Sequence, residues 1–423
     1  MFMWNNRFFA FALGAALMFA FDGAAIAAAP MVSLGQEHAV ARRSDGTVVA
    51  WGSDQDGQLG SGRLNYETRP GLVTGLSTVR NIGSGLSHVL AVREDGTVWA
   101  WGRNYDGQLG GGSSANRASP TQVQGITNVA MTCGGDYYSI ALKADGSVWA
   151  WGANYDGVLG DGTQNSASMP IPLAGLGSVG AIACGNNHVL ALRRDGTVWA
   201  WGSNAEGALG DGSTTMRLQP VQVPGLTSVV SIAAGQDFSA ALKRDGTVWE
   251  WGVLAPYASP RGAPRVLPMQ AAGVSGAVAI AASLNSFWLL AIQSDQQTWW
   301  RWETGTTPAL QDPVGNLKAA AAGYGQTLLL KSDATVLAFG YSGNPFGNLG
   351  DGTTSYRQIP GPVVDIANIV QVAAGTWHGL ALDANGKVWS WGLDSAGQLG
   401  RGRILSRSVP ADIAGLNNIV QVS

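Results

Sequence analysis

The chain has 423 residues, including 60 glycines, but only 13% of its residues are charged and its formal net charge is −3. A nucleic-acid-binding protein is expected to carry a basic face or a basic tail. The sequence contains neither, so nucleic acid is excluded as an expected partner.

The first segment, residues 1–29, has the pattern of a secretory signal peptide. Arg7 precedes an apolar run from Phe8 to Phe21, and small residues at A-x-A spacing follow up to Ala29. The run is short for a membrane-spanning helix, although a retained anchor is the alternative. We therefore expect export to the periplasm, the extracellular space or the cell surface, with no stable membrane insertion after the signal is removed.

Residues 30–423 are predicted to form one repeat domain. Trp-Gly pairs recur every 50 residues from Trp51 to Trp251, and Trp391-Gly392 restores the pair after a weaker stretch. We count eight units, near 31–78, 79–128, 129–178, 179–228, 229–277, 278–316, 317–368 and 369–418. Residues 419–423 match the start of a further unit and are a candidate closing strand, although the strand near Met31 could also close a ring.

Each unit contains four predicted strands, here called A to D in chain order. Asp-Gly, as at Asp195-Gly196, joins strands B and C and predicts a tight type I′ turn. No part of the chain after the signal segment has sustained apolar spacing of 3.6 residues. Four short strands per repeat predict an all-β fold, a β-propeller of four-stranded blades.

The repeat resembles that of the regulator of chromosome condensation family. The motifs that carry the resemblance are Gly-x-x-His-x-x-Ala-Leu, Asp-Gly-x-Val-Trp-Ala-Trp-Gly and Asn-x-x-Gly-Gln-Leu-Gly-x-Gly. The resemblance implies a propeller that usually has seven blades. Because we count eight units, seven and eight blades both stay open.

The polar residues that recur at fixed positions of the repeat are interpreted as structural. All four histidines occupy one repeat position, which holds Tyr138 or Phe238 in other units. Aromatic replacement indicates packing, so the sequence offers no catalytic base and no His or Cys spacing for zinc. We therefore expect no catalytic residue, no metal site and no cofactor. The Arg of the recurring Arg-x-x-Pro is expected to bond within its own blade.

Candidate binding residues are those that vary at fixed repeat positions. If strand A runs upward, the A–B and C–D loops share one face, which we call the top face. The A–B loops are expected to ring a central channel. The candidates for contact with a partner are Gln36, Glu37, Asp136, Tyr137, Asn186, Asn187, Gln236, Asp237, Tyr324 and Trp377 in the A–B loops, and Tyr105 and Tyr155 in the C–D loops.

The two cysteines, Cys133 and Cys184, end strand A in neighbouring units. Their registers differ by one residue, so they point to opposite faces of their sheets and can meet across a blade interface. A disulfide is one interpretation. Two buried free thiols are the other, and the sequence alone favours them.

The favoured function is an exported, non-catalytic scaffold that recognises a protein, or a glycan, through the top face. Inhibition of a secreted enzyme such as a β-lactamase is the alternative, since a secreted β-lactamase inhibitor has similar repeats. Guanine-nucleotide exchange is disfavoured because the even Trp-Gly spacing leaves no room for an inserted wedge. Catalysis at the channel mouth is disfavoured because Glu37, Asp136 and Asp237 come from units one, three and five and are expected to lie too far apart.

Overall fold

A computed structural model describes most of the repeat domain. The described residues are 32–34, 38–43, 45–62, 67–253, 263–282, 288–293, 299–303, 309–310, 316–323, 326–340, 344–355, 357–375, 377–395, 398–400, 405–413, 416 and 419. The predicted signal segment, and the candidate residues Gln36, Glu37 and Tyr324, lie outside them.

The described residues form eight antiparallel sheets of four strands, each strand paired with the next along the chain, and we number these sheets blades 1 to 8. Blade 1 contains β1 Val32–Leu34, β2 His38–Arg42, β3 Val48–Gly52 and β4 Glu67–Leu72, and blade 2 contains β5 Val79–Ser84, β6 His88–Arg93, β7 Val98–Gly102 and β8 Arg117–Gln122. Blade 3 contains β9 Val129–Gly134, β10 Tyr138–Lys143, β11 Val148–Gly152 and β12 Ala167–Pro172, and blade 4 contains β13 Val179–Cys184, β14 His188–Arg193, β15 Val198–Gly202 and β16 Arg217–Gln222. Blade 5 contains β17 Val229–Ala234, β18 Phe238–Lys243, β19 Val248–Gly252 and β20 Arg265–Gln270, and blade 6 contains β21 Ala277–Ala282, β22 Trp288–Gln293, β23 Trp299–Glu303 and β24 Ala309–Leu310. Blade 7 contains β25 Leu317–Ala322, β26 Thr327–Lys331, β27 Val336–Phe339 and β28 Gly361–Pro362, and blade 8 contains β29 Ile369–Ala374, β30 His378–Asp383, β31 Val388–Gly392 and β32 Arg407–Asp412.

The all-β propeller fold with four-stranded antiparallel blades is thus confirmed, and each blade comes from one sequence unit. The first strands of successive blades lie beside one another, which places strand A innermost. Apolar side chains of one blade pack on the next, and Leu380 and Leu382 of blade 8 share a core cluster with Ala39 and Trp51 of blade 1. The last blade therefore packs on the first, and the ring is closed.

The tryptophan of each Trp-Gly pair joins two blades. Trp101 Nε1 donates to the carbonyl of Gln58 in the preceding blade at 2.9 Å, and Trp201 Nε1 donates to Val158 at 2.8 Å. Trp51 makes the same bond across the seam of the ring, to Gln398 at 2.8 Å. The acceptor always lies in the C–D loop of the preceding blade, so the strand of one blade fixes the loop of its neighbour.

The turn between strands B and C differs from the prediction. A type I′ turn needs positive φ at both central residues. Of the two central residues of the turn in blade 2, Asp95 and Gly96, only Gly96 has positive φ, at 78°, and its N–H donates to the Arg93 carbonyl at 2.9 Å. Asp95 Oδ1 instead accepts the Thr97 N–H at 2.9 Å. The type I′ prediction is wrong because the Asp side chain bonds to the start of the next strand, while glycine alone takes the left-handed conformation.

The histidines are buried at blade interfaces. His88 Nε2 lies 2.9 Å from Ser139 Oγ of the next blade, and Ser139 Oγ donates to the Gln108 carbonyl at 2.9 Å. Because the serine proton goes to that carbonyl, His88 Nε2 must carry the imidazole proton. His188 and Ser239 repeat this pair at 2.9 Å. Burial lowers the pKa of His88 to about 3 and that of His188 to about 4, so both are neutral packing groups.

A disulfide joins Cys133 of blade 3 to Cys184 of blade 4, with their Cα atoms 6.0 Å apart. Of the two states considered for these cysteines, the structure contains the bonded one. Offset registers bring the two side chains together, since one points forward from its sheet and the other backward. The bond therefore links two adjacent innermost strands.

Within the described part of the chain, no helix has the length and apolar character needed to cross a membrane.

The seam between blades 8 and 1 lacks one hydroxyl that is present between blades 2 and 3 and between blades 4 and 5. His378 stands in the place of His88, Gln398 in the place of Gln108, and Ala39 in the place of Ser139. We predict that Ala39→Ser raises the free energy of unfolding by about 0.5–1.5 kcal/mol, because the new hydroxyl bridges His378 to the Gln398 carbonyl. Denaturant unfolding measures this change.

The matched control is Ser139→Ala. It should lower the free energy of unfolding by about 1–3 kcal/mol, because buried His88 loses its hydrogen-bond partner. Destabilisation by Ala39→Ser would contradict the prediction.

Candidate functional site

The A–B loops line the inner rim of the top face and are bonded to one another. Leu86 N–H donates to the Gly135 carbonyl of the next blade at 3.4 Å, and Asp136 N–H donates to the Asn186 carbonyl at 3.2 Å. Glycine begins each of these loops because the space is closed: a Cβ on Gly85 would lie 2.3 Å from the Gly135 oxygen. Across blades 2 to 4 the rim is therefore tightly spaced backbone.

In blades 2 to 5 and in blade 8, the A–B loop is also fixed to the C–D loop of its own blade. The residue before the repeat histidine accepts a backbone hydrogen bond from the residue after Trp-Gly, as Tyr137 does from Ala153 at 3.0 Å and Trp377 does from Leu393 at 2.9 Å. Inside the C–D loop, Asn104 Oδ1 accepts the Leu109 N–H at 2.9 Å. Both sets of loops therefore present their variable side chains from a fixed backbone.

Blades 2 and 3 place an arginine between two tyrosines on this face. The Arg103 guanidinium lies 5.0 Å from the ring centroid of Tyr105 and 4.7 Å from that of Tyr137. Tyr105 belongs to the C–D loop of blade 2, and Tyr137 belongs to the A–B loop of blade 3. Cation–π attraction therefore joins the two candidate tyrosines across a blade interface.

Tyr155 extends the same surface. Its hydroxyl, in the C–D loop of blade 3, donates to Asp106 Oδ1 of blade 2 at 2.8 Å. That carboxylate holds the pKa of Tyr155 above its ordinary value. Tyr105 and Tyr155 are 61% and 65% exposed, so two large aromatic side chains on this surface are open to solvent. We call Arg103, Tyr105, Asp106, Tyr137 and Tyr155 the tyrosine patch.

Asp136 and Asp237 form a second polar feature. Burial, the larger cause, and the charge of Asp237 together raise the pKa of Asp136 to about 6. The charge of Asp237 therefore acts on Asp136 although the two residues come from blades 3 and 5. The expectation that these carboxylates lie too far apart for paired catalysis stays a prediction.

The remaining described candidates are distributed around the rim. Asn187 is exposed, whereas Asn186 and Gln236 are half-buried. Trp377 packs edge-on against Phe346 of blade 7, with ring centroids 5.9 Å apart. The structure therefore brings Tyr105, Tyr137 and Tyr155 together, and it places Trp377 in a separate aromatic contact.

Sequence reasoning missed three residues of this face: Arg103, Asp106 and Phe346. Arg103 stands where other units have Ser53, Ala153 and Ser203, so variation at a fixed position was the available signal. Nothing in the sequence showed that Asp106 accepts a hydrogen bond from the next blade.

Other polar groups have structural roles. Among the described residues, no cluster of three or more His, Cys, Asp or Glu side chains is arranged to hold a metal ion. Arg217 bonds to Asp211 and Arg357 bonds to Asp351, each within its own blade, which confirms the interpretation of Arg-x-x-Pro for these two.

Comparison with known proteins gives the family. Residues 20–284 match the RCC1-like domain, and residues 369–398 and 385–423 match the regulator of chromosome condensation (RCC1) repeat. The chain belongs to the RCC1-like family. It is also 35% identical over 101 residues to Protein pim1 of Schizosaccharomyces pombe, a match that covers 21% of this chain and 19% of that relative.

Solved structures agree in fold. Yeast RCC1 (Prp20) bound to Kap60 is similar with a TM-score of 0.63 and 21% identity, covering 89% of this chain and 85% of that one. Human WBSCR16 is similar with a TM-score of 0.62 and 20% identity, covering 87% of this chain and 94% of that one. At these identities the likeness extends to the fold alone. The RCC1-like chain is a propeller scaffold, and these two structures do not identify its partner.

The coupling of Asp136 and Asp237 predicts a pH-dependent stability. Because the pKa of Asp136 is raised from its ordinary 3.8 to about 6, the folded state binds more protons than the unfolded state between these pH values. The contribution of protonated Asp136 to the free energy of unfolding is therefore present at low pH and is lost as pH rises through about 6. We predict that Asp136→Asn raises the free energy of unfolding by about 1–2 kcal/mol at pH 7.5, discounted for partial exposure, and changes it little near pH 4.

Thermal unfolding across this pH range measures the effect. The matched variant Asp237→Asn should lower the pKa of Asp136 only in part, since burial is the larger cause, and carboxyl NMR titration follows it. Equal effects of Asp136→Asn at both pH values would contradict the assignment.

Proposed function

We propose that this RCC1-like propeller is an exported, non-catalytic scaffold that recognises a protein partner through the tyrosine patch of its top face. The observation that carries the proposal is the Arg103 guanidinium between Tyr105 and Tyr137, beside the cross-blade bond from Tyr155 to Asp106. Large aromatic side chains on a fixed backbone provide contact area at low entropic cost. Arginine and tyrosine are also the residue types enriched where binding energy concentrates.

The loops favour recognition without rearrangement. Hydrogen bonds from Leu109 N–H to Asn104 and from Leu159 N–H to Asn154 hold the loops that carry Tyr105 and Tyr155, both at 2.9 Å. A surface that is ordered before binding loses little conformational entropy when a partner docks. A glycan is the second ligand class that exposed tyrosines suit, and it is tested as an outcome below.

Export is supported by two independent features. The first is the signal-like pattern of residues 1–29, and the second is the disulfide between Cys133 and Cys184, a bond typical of oxidising compartments. The absence of a catalytic role is proposed because each histidine of the repeat position is buried at an interface and neutral, which leaves it unable to act as a general base on a bound substrate.

The test begins with chain recovered from the extracytoplasmic fraction of its own host, which is crosslinked and used to capture partners. Tyr105→Ala and Tyr155→Ala should each weaken binding of the captured partner by about 10-fold or more, because each removes a central aromatic contact. Gln55→Ala is the matched control, since Gln55 occupies the same C–D loop position in blade 1. Surface plasmon resonance gives the affinities.

Three results would contradict the proposal. The first is that the chain is found only in the cytoplasm. The second is that the tyrosine variants bind the partner as tightly as Gln55→Ala does. The third is that treating the captured partner with a glycosidase is enough to abolish its binding to the chain. The last result would replace the protein partner with a glycan.

A further inference from the structure

Arg103 carries a positive charge that has no carboxylate partner. Arg217 and Arg357 form ion pairs within their own blades. The Arg103 side chain, by contrast, makes no hydrogen bond and no ion pair with any residue that the structure describes, and its buried Nε has no acceptor. The rings of Tyr105 and Tyr137 flank the guanidinium instead. Attraction to ring faces leaves the N–H donors in the guanidinium plane available to an acceptor.

A buried amide in the same C–D loop also lacks an acceptor. Gln108 is fully buried, and its Oε1 accepts the Asp106 N–H at 3.0 Å, but its Nε2 has no hydrogen-bond partner among the described residues. In blade 1 the equivalent amide is satisfied, because Gln58 Nε2 donates to Ser53 Oγ at 3.4 Å. Ser53 occupies the repeat position that Arg103 occupies in blade 2.

Blade 8 satisfies this amide from a second position. Gln398 Nε2 donates to Ser395 Oγ at 3.5 Å, and Ser395 occupies the repeat position of Tyr105. Blade 2 therefore places Arg103 and Tyr105 at the two positions that supply a hydroxyl in other blades. A buried donor without an acceptor is destabilising. Local departures of this kind are typical of functional sites.

The carboxylate nearest to Arg103 along the chain has a different role. Asp106 Oδ1 accepts the hydroxyl of Tyr155 at 2.8 Å, and no ion pair joins Asp106 to Arg103 in the described part of the chain. Arg103 itself is half-buried, so part of its side chain is open to solvent. The tyrosine patch thus contains a cation that is held between two rings and is not neutralised.

We propose that Arg103 is a carboxylate-binding residue, which receives an Asp or Glu side chain of the protein partner between Tyr105 and Tyr137. This inference rests on the proposed function and names the chemistry of its partner. A carboxylate matches the guanidinium fork with two parallel hydrogen bonds. The flanking rings hold the arginine before binding, so little side-chain entropy is lost when the carboxylate arrives.

Two peptides that differ only in one carboxylate give the first test. The probes are Gly-Glu-Gly and Gly-Gln-Gly, both acetylated and amidated, titrated into the full chain with the ring NMR signals of Tyr105 and Tyr137 as readout. The glutamate peptide should bind about 10-fold more tightly, because only its side chain forms charge-assisted hydrogen bonds. Arg103→Gln should abolish this preference. The matched control Arg244→Gln removes an exposed arginine from a B–C turn at the opposite face and should retain it.

The unsatisfied amide gives the second test. Arg103→Ser and Arg103→Ala both remove the guanidinium, but only serine restores the hydroxyl that Ser53 gives to Gln58. Arg103→Ser should therefore melt about 1–2 °C above Arg103→Ala. Both variants should lose the preference for the glutamate peptide.

The proposal would be overturned by equal or undetectable binding of the two peptides to the unchanged chain, or by a preference that survives Arg103→Gln. An Arg103→Ser variant that melts no higher than Arg103→Ala would also contradict it. Failure of the carboxylate assignment is distinct from failure of the proposed function. If Tyr105→Ala and Tyr155→Ala weaken partner binding while the two peptides bind alike, only the carboxylate assignment is wrong. If the tyrosine variants bind the partner unchanged, the proposed function is wrong.

Discussion

The hydrogen bond from a buried indole to the preceding blade is the interaction on which the propeller depends. Trp151 Nε1 donates to the Gln108 carbonyl at 2.8 Å, and Trp251 Nε1 donates to Ala208 at 2.7 Å. Each indole reaches across an apolar interface, where a bond excluded from water is strong and an unpaired N–H would be costly. The bond links the third strand of one blade to the C–D loop of its neighbour, so packing of the ring and shape of the top face are set together. The same contact explains a glycine of the repeat, because a Cβ on Gly110 would lie 2.9 Å from the Trp151 Nε1 atom.

The departures from the repeat follow the same logic. No Gly-x-Leu-Gly follows Trp302 in the sequence, so blade 6 contributes no such loop motif to blade 7. Blade 7 has Phe339 where blades 1 to 5 and 8 have the donating tryptophan, and the Phe339 side chain, which contains no N–H, is fully buried. Between blades 6 and 7, the indole donor and the loop motif that would supply its acceptor are therefore absent together. Blade 8 restores the pair, since Trp391 donates to Asn348 at 3.0 Å.

The fold was predictable because the repeat is long, and its strands alternate with turns at a fixed spacing. The turn type between strands B and C was not predictable from Asp-Gly alone, since it depends on the hydrogen bond from the Thr97 N–H to the Asp95 side chain. The candidate site was predictable only as a face. Tyr105, Tyr137 and Tyr155 could be assigned to top loops, but their meeting through Arg103 and Asp106 depends on contacts between blades. The sequence made residues 419–423 a candidate closing strand, and Ile419 does bridge Arg43 of blade 1, but which segments close the ring could be read only from the structure.

One strand contains both the bond and its control. In β15, Trp201 Nε1 donates to Val158, while Trp199 Nε1 has no hydrogen-bond partner among the residues that the structure describes. Phenylalanine at either position removes the same atoms, and denaturant unfolding compares the two variants. Trp201→Phe should lower the free energy of unfolding by about 2–3 kcal/mol, and Trp199→Phe by about 1 kcal/mol or less. Equal losses from the two substitutions would contradict the account, because packing and not the indole bond would then hold the blades together.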